Sequence, residues 1–157
     1  MSKNKDSIWI DREFLQTYKQ DNVKCGLRIV CDDKIDNSSV LVIKNLLMWI
    51  RKRFCFPIKC TVFLKNQAKF RSNNGKGFCQ GIFFTPEELR KGAKYPCIYV
   101  AANTDLRYLE FTILHELTHY FQWYFLQDET RTDKSLEIEA NRYAYWLLNE
   151  YENNRAE

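Results

Sequence analysis

At 157 residues the chain has room for one domain with a real core and little more. Apolar residues at 45% and aromatics at 15% exclude a disordered chain. A formal net charge of +4 is too mild to demand a nucleic acid as partner, and no apolar run approaches the ~20 residues of a membrane span.

Met1 to Asp6 is polar and charged, reads as a mobile tail, and lacks the apolar stretch of a signal peptide. Ile8 to Tyr18 carries Trp9, Phe14 and Leu15 and suggests a short helix. Residues 1–25 are expected to form a partly mobile N-terminal extension, and residues 26–157 the folded domain. Gly26 to Cys31 reads as a strand that ends in the polar turn Asp32 to Asn37. Ser38 or Ser39 is a suitable N-cap for a helix with Ile43, Leu46, Leu47, Ile50 and Phe54 on one face, and Pro57 ends it. Three strand-like stretches follow, at 58–64, 77–85 and 96–101. Pro86 opens a short helical turn between the last two. No Gly or Pro interrupts Leu106 to Leu126, which predicts a long helix, and a final helix is expected to begin near Thr132, Asp133 or Ser135. Strands and helices segregate along the chain, so the expected class is α+β. The first strand and the Ile58 strand are expected to pair in parallel across the intervening helix.

Six cysteines lie mostly in apolar, strand-like surroundings, and no Cys-x-x-Cys pair offers a structural zinc site. Free thiols in a reducing compartment are the expectation, and cytoplasmic residence with it.

The chemistry concentrates in the predicted long helix. His115-Glu116-Leu117-Thr118-His119 reads His-Glu-x-x-His, and these are the only two histidines of the chain. At positions i and i+4 two imidazoles share one helix face and can hold one Zn²⁺ from the same side. Glu116 stands beside the first of them, placed to act on water at the metal. A catalytic zinc site needs a third protein ligand. With no third histidine, that ligand must be a carboxylate or a thiolate. Gln122 and Phe125 occupy the glycine and histidine positions of the extended three-histidine form and exclude it. The final helix offers Glu137 and Glu139 on opposite edges of its apolar stripe. Helical geometry alone does not choose between them.

His115-Glu116-x-x-His119 with Glu139-Ala140-Asn141-x-x-Ala144 resembles the gluzincin peptidases. Within them it most resembles the ImmA/IrrE-type metallopeptidases and the small single-domain minigluzincins. The motif likeness spans Pro96 to about Leu148. It implies a zincin-like single domain with a small mixed sheet, a backing helix, an active-site helix and a C-terminal helix that supplies a glutamate ligand. It also implies Glu139, the glutamate before Ala-Asn, as third ligand beside His115 and His119. Thr118 stands where the family often has a small residue. In thermolysin-like relatives an aspartate four residues after the ligand glutamate supports a zinc histidine. Counted from Glu139, that place holds Tyr143, which leaves Asn141, Asp105 and Glu137 as possible supports.

The expected activity is zinc-dependent endopeptidase hydrolysis. Glu116 serves as general base, and Tyr143 or Tyr145 stabilises the oxyanion. Tyr99 to Ala102 or Gly81 to Phe84 could form a sheet edge that binds substrate backbone. The alternative is a regulatory zinc protein, like the ImmA/IrrE group, that acts on one repressor or partner. A third reading, nucleic-acid binding through residues such as Arg51, Lys52, Arg53 and Lys65, lacks any known reader motif. The expected partners are a peptide or protein substrate, with no membrane or nucleic acid, and the expected state is a monomer.

Overall fold

A four-stranded sheet, a helix across it and two long C-terminal helices make up the computed structural model, which describes residues 7–72, 75–125 and 130–156. In chain order the elements are α1 (Leu15–Tyr18), β1 (Leu27–Cys31), α2 (Asn37–Arg53), β2 (Cys60–Lys65), β3 (Phe70–Arg71), β4 (Phe78–Cys79), β5 (Gly81–Phe84), α3 (Pro86–Leu89), β6 (Cys97–Ala101), α4 (Leu106–Tyr124) and α5 (Asp133–Ala156). The expected tail, residues 1–6, lies outside the described residues.

The sheet runs β1-β2-β6-β5. β1, β2 and β6 are parallel, as expected for the first pair, and β5 runs antiparallel to β6 at the edge. Of the two segments considered for a substrate edge, β6 is therefore interior and β5 is the edge. The single strand expected over 77–85 is broken at Gln80. Phe78–Cys79 pairs with β3 in a separate two-stranded ribbon, and Gly81–Phe84 joins the main sheet.

Alternation along β2 buries Cys60, Val62 and Leu64 on one face. Val62 and Leu64 stand opposite Ile98 and Val100 of β6, and all four enter the helix-covered core. The other face is aromatic, with Phe63, Phe84 and Phe70 around Tyr99. α2 lays Ile43, Leu46, Leu47 and Ile50 into the core. Its N-cap is Asp36 rather than either serine, and the Ser38 hydroxyl donates to the Asp36 carboxylate. α3 begins with a capping box, in which Thr85 and Glu88 satisfy each other's backbone N–H groups. Among the described residues, no helix is long and apolar enough to cross a membrane. All six cysteines are free thiols.

The segment before β1 is tied into this core. Trp9 and Ile10, within the stretch expected to form an extension, are fully buried. Trp9 lies 4.9 Å from the ring centroids of both Phe54 and Phe121. Its indole N–H donates to Thr118 Oγ1 at 3.0 Å, and the Thr118 hydroxyl donates to Leu114 O at 2.9 Å. That pairing gives Thr118 a structural role inside the His-Glu-x-x-His stretch. A buried indole N–H left without an acceptor would cost about 1–3 kcal/mol.

The Trp9→Ala variant should therefore lose about 3–5 kcal/mol of stability through the cavity it leaves. Urea unfolding of the purified protein reads this directly. A loss below 1 kcal/mol would show that the N-terminal segment is dispensable to the core.

Candidate metal centre

α4 is capped by Asp105, whose carboxylate accepts from the Tyr108 N–H at 3.1 Å. Leu109, Ile113, Leu114, Leu117, Tyr120 and Phe121 are completely buried along it. Each such side chain contributes on the order of 1.5–3 kcal/mol. This packing holds the opposite flank of the helix, with His115 and His119, toward a cleft of about 940 Å³ between α4, α5 and the β4–β5 segment. The two Nε2 atoms point at each other across 3.2 Å.

Glu137, on the first turns of α5, closes the triangle. Its Oε2 lies 3.0 Å from His115 Nε2 and its Oε1 lies 2.9 Å from His119 Nε2. Hydrogen bonds from His115 and then His119 hold its carboxyl far below the usual carboxylate range. Burial, the largest influence on His119, pulls its pKa down. The Glu137 hydrogen bond, the Glu116 charge and the Gln122 hydrogen bond together carry it above the usual value.

Glu116 stands apart from this triangle and drier. Its Oε2 is 3.9 Å from His115 Nε2, and its side chain is 8% exposed. Burial raises its pKa, while the charges of His119 and His115 and the Phe83 backbone N–H work against that rise. His115, Glu116 and His119 can each present a ligand atom within 4.8 Å of the others. Glu137 nevertheless sits closer to both imidazoles than Glu116 does, and Glu116 is already engaged by β5. The close approach of α4 to β5 depends on Gly81. It stands opposite Val100, whose side chain enters the core beneath α4. A Cβ at Gly81 would lie 2.8 Å from Thr112 Cγ2 and 2.9 Å from Glu116 Cγ.

Glu139 is not at the imidazoles. Arg131 Nη1 donates to its Oε1 at 3.0 Å, and Gln122 Nε2 donates to the same oxygen at 2.8 Å. Two residues along a helix are about 200° of rotation apart, so only one of Glu137 and Glu139 can face α4's histidines. The structure therefore places Glu137 against the two imidazoles and Glu139, the glutamate expected there, against Arg131 and Gln122. A signal for Glu137 was present in the sequence. Four residues beyond it comes Asn141, whose Oδ1 stands 2.8 Å from His115 Nδ1. Counting from Glu139 reached Tyr143 instead.

Tyr143 is also elsewhere. Its hydroxyl accepts from the Ile8 N–H at 3.2 Å, and its ring packs edge-on against Trp146. Six residues turn a helix about 240° beyond Glu137, which takes Tyr143 off the cleft. Tyr145 is 63% exposed and lies 4.7 Å from the Phe111 ring. Tyr108 is the tyrosine among the described residues that lines the cleft. Gln122 was legible only as a departure from the glycine of the extended three-histidine form. Its Oε1 in fact stands 2.6 Å from His119 Nδ1.

This donor set suits a metal ion. Two imidazole nitrogens and a carboxylate oxygen meet with no hydrogen-bond donor between them other than a proton on Nε2. Ligand atoms around a tetrahedral zinc stand about 3.3 Å apart at bond lengths of about 2.0–2.1 Å. The observed 2.9–3.2 Å spacings are close to that edge.

The model of the IrrE N-terminal-like domain family, Peptidase_M78, matches residues 68–157, which include both site helices and the β5 edge. No curated protein and no solved structure matches the chain. The mixed sheet, the helix with His-Glu-x-x-His and the closing helix form a zincin-like α+β fold.

These pKa shifts set a pH dependence for the metal-free protein. His119 and Glu116 both have folded pKa values above their unfolded ones. Their contribution is complete at low pH and is lost as pH rises through the folded values. Glu137 has the opposite sign, since its contribution is lost only as pH falls through the acid range. Between about pH 5 and pH 8 the first pair dominates. Thermal unfolding in the presence of a chelator should show a Tm that falls across that interval. A Tm that rises instead would mean the imidazole–carboxylate cluster is not assembled without metal.

Proposed function

The chain belongs to the IrrE N-terminal-like peptidase family, and from that premise we propose that it is a zinc metallopeptidase with His115, His119 and Glu137 as ligands and Glu116 as general base. The observation that carries this reading is the Glu137 carboxylate within 3.0 Å of both Nε2 atoms, with a second, buried carboxylate beside them. When bound, zinc supplies a Lewis acid and lowers the pKa of water.

The remaining steps belong to the chain's own residues. His115 and His119 present Nε2 because Asn141 and Gln122 occupy their Nδ1 atoms. Glu116 holds its carboxylate against β5, with a backbone N–H from Phe83 to fix it. Its raised pKa brings it nearer to the value that suits taking a proton at one oxygen and returning it to the leaving amine. The free edge of β5 lies along the cleft, so an extended peptide can add there as a further strand. Gly81 at that edge keeps the wall low beside Glu116. Six free thiols suit a reducing compartment, and the cytoplasm is the location proposed.

Glu116→Gln should keep zinc at one per chain and lower peptide hydrolysis by about 10²–10⁴-fold. Glu137→Ala should lose the metal. Metal analysis by mass spectrometry and a peptide-library cleavage assay check both. A Glu137→Ala protein that keeps full zinc occupancy would refute the ligand set, and undiminished hydrolysis by Glu116→Gln would refute the base. Comparing proteomes of cells that express active and Glu116→Gln forms reads the substrate range. One cleaved partner would make the protein a regulatory protease, and many would make it a general one.

A further inference from the structure

Glu139 and Gln122 are not needed as ligands, yet both are built into the site. Gln122 is 4% exposed, and both ends of its carboxamide are engaged. Nε2 donates to Leu136 O at 3.0 Å and to Glu139 Oε1 at 2.8 Å. A backbone carbonyl and a carboxylate oxygen are acceptors only, so this end of the amide must be the NH₂ end. The carbonyl end, Oε1, therefore faces His119 Nδ1, and a contact of 2.6 Å between them requires the hydrogen to be on Nδ1. In a neutral imidazole that places the lone pair on Nε2, the atom aimed at His115 and Glu137.

We propose that Glu139 is a positioning residue for the metal centre and that it fixes the tautomer and orientation of His119 through the Gln122 carboxamide. The proposal rests on the metal-site reading above, and it gives Glu139 a role two hydrogen bonds removed from the metal. Its carboxylate polarises the Gln122 N–H bonds, which strengthens the carbonyl as an acceptor at the other end. Arg131, just before α5, binds the same Glu139 oxygen and anchors the outer end of the chain. α5 thus acts on α4 twice, directly through Glu137 and indirectly through Glu139. His115 is held differently, by the single Asn141 carboxamide.

The test uses the whole protein with ¹⁵N-labelled histidine, and zinc as the only added ligand. Imidazole ¹⁵N shifts of the metal-free protein near pH 8 report the tautomer of each histidine. Competition with a chromogenic chelator reports zinc affinity. In its neutral state wild-type His119 should be in the Nδ1–H form. Gln122→Leu should lose that preference and bind zinc about 10–100-fold more weakly. Glu139→Leu, at a partly exposed position, should shift both readouts the same way by a smaller factor, and Glu139→Gln should restore them. The double variant Gln122→Leu/Glu139→Leu should be no weaker than Gln122→Leu alone, because Glu139 acts through Gln122.

Wild-type tautomer and zinc affinity within twofold in Glu139→Leu would overturn the proposal, as would additive losses in the double variant. Should Gln122→Leu not fold, the Glu139 pair of variants decides alone. A wild-type protein that binds no zinc would defeat the metal reading, while the tautomer measurement would still decide the relay.

Discussion

Three lone-pair donors on two helices, the Nε2 atoms of His115 and His119 and the carboxylate of Glu137, converge to within 3.2 Å of one another. Lone pairs that close repel unless a proton or a metal ion lies among them. The cluster therefore opposes the packing of α5 on α4 whenever it is deprotonated and empty. The folded chain tolerates this because the α4 core is large. Six completely buried apolar or aromatic side chains along one helix outweigh the repulsion at its cleft-facing flank.

The site then depends on how firmly α4 is placed. It is pinned from three directions. Trp9 reaches from the N-terminal segment to Thr118, inside the metal motif itself. Tyr120 fastens the helix to the chain before β2, since its hydroxyl accepts from the Ile58 N–H at 3.0 Å and donates to the Ile58 carbonyl at 2.6 Å. Burial is the main reason its pKa is pushed far up, so it remains a neutral donor. Gly81 sets the third distance by letting β5 approach Thr112 and Glu116. None of these residues touches the three converging donors, yet together they set where His115 and His119 sit.

Both imidazoles are supported at Nδ1 by carboxamides rather than carboxylates. A carboxylate partner raises the basicity of an imidazole, while an amide orients it without adding a formal charge. Asn141 and Gln122 thus divide a task that one type of residue performs, and each comes from a different helix. The two arrangements differ in reach. Asn141 shares a face of α5 with Glu137, so the carboxylate at the imidazoles and the support of His115 move together. Gln122 shares a face of α4 with His119 and is tied across to Leu136 and Glu139.

The class of elements and the histidine pair of α4 could be read from the residues alone. His115, Glu116 and His119 were legible because a one-turn spacing on an uninterrupted helix is a local property. The α+β order and the parallel β1–β2 pair were legible because hydrophobic period and connection length are also local. Trp9 in the core was not, because nothing near residue 9 reveals a partner more than a hundred residues away. The choice between Glu137 and Glu139 was left to tertiary structure for the same reason. Both flank the apolar stripe of α5, and only the rotation of that helix against α4 decides which carboxylate meets the histidines. Packing fixes that rotation, through Ala140, Ala144 and Leu147 buried on one side of α5. It turns Glu137 into the cleft and leaves Glu139 to Arg131 and Gln122.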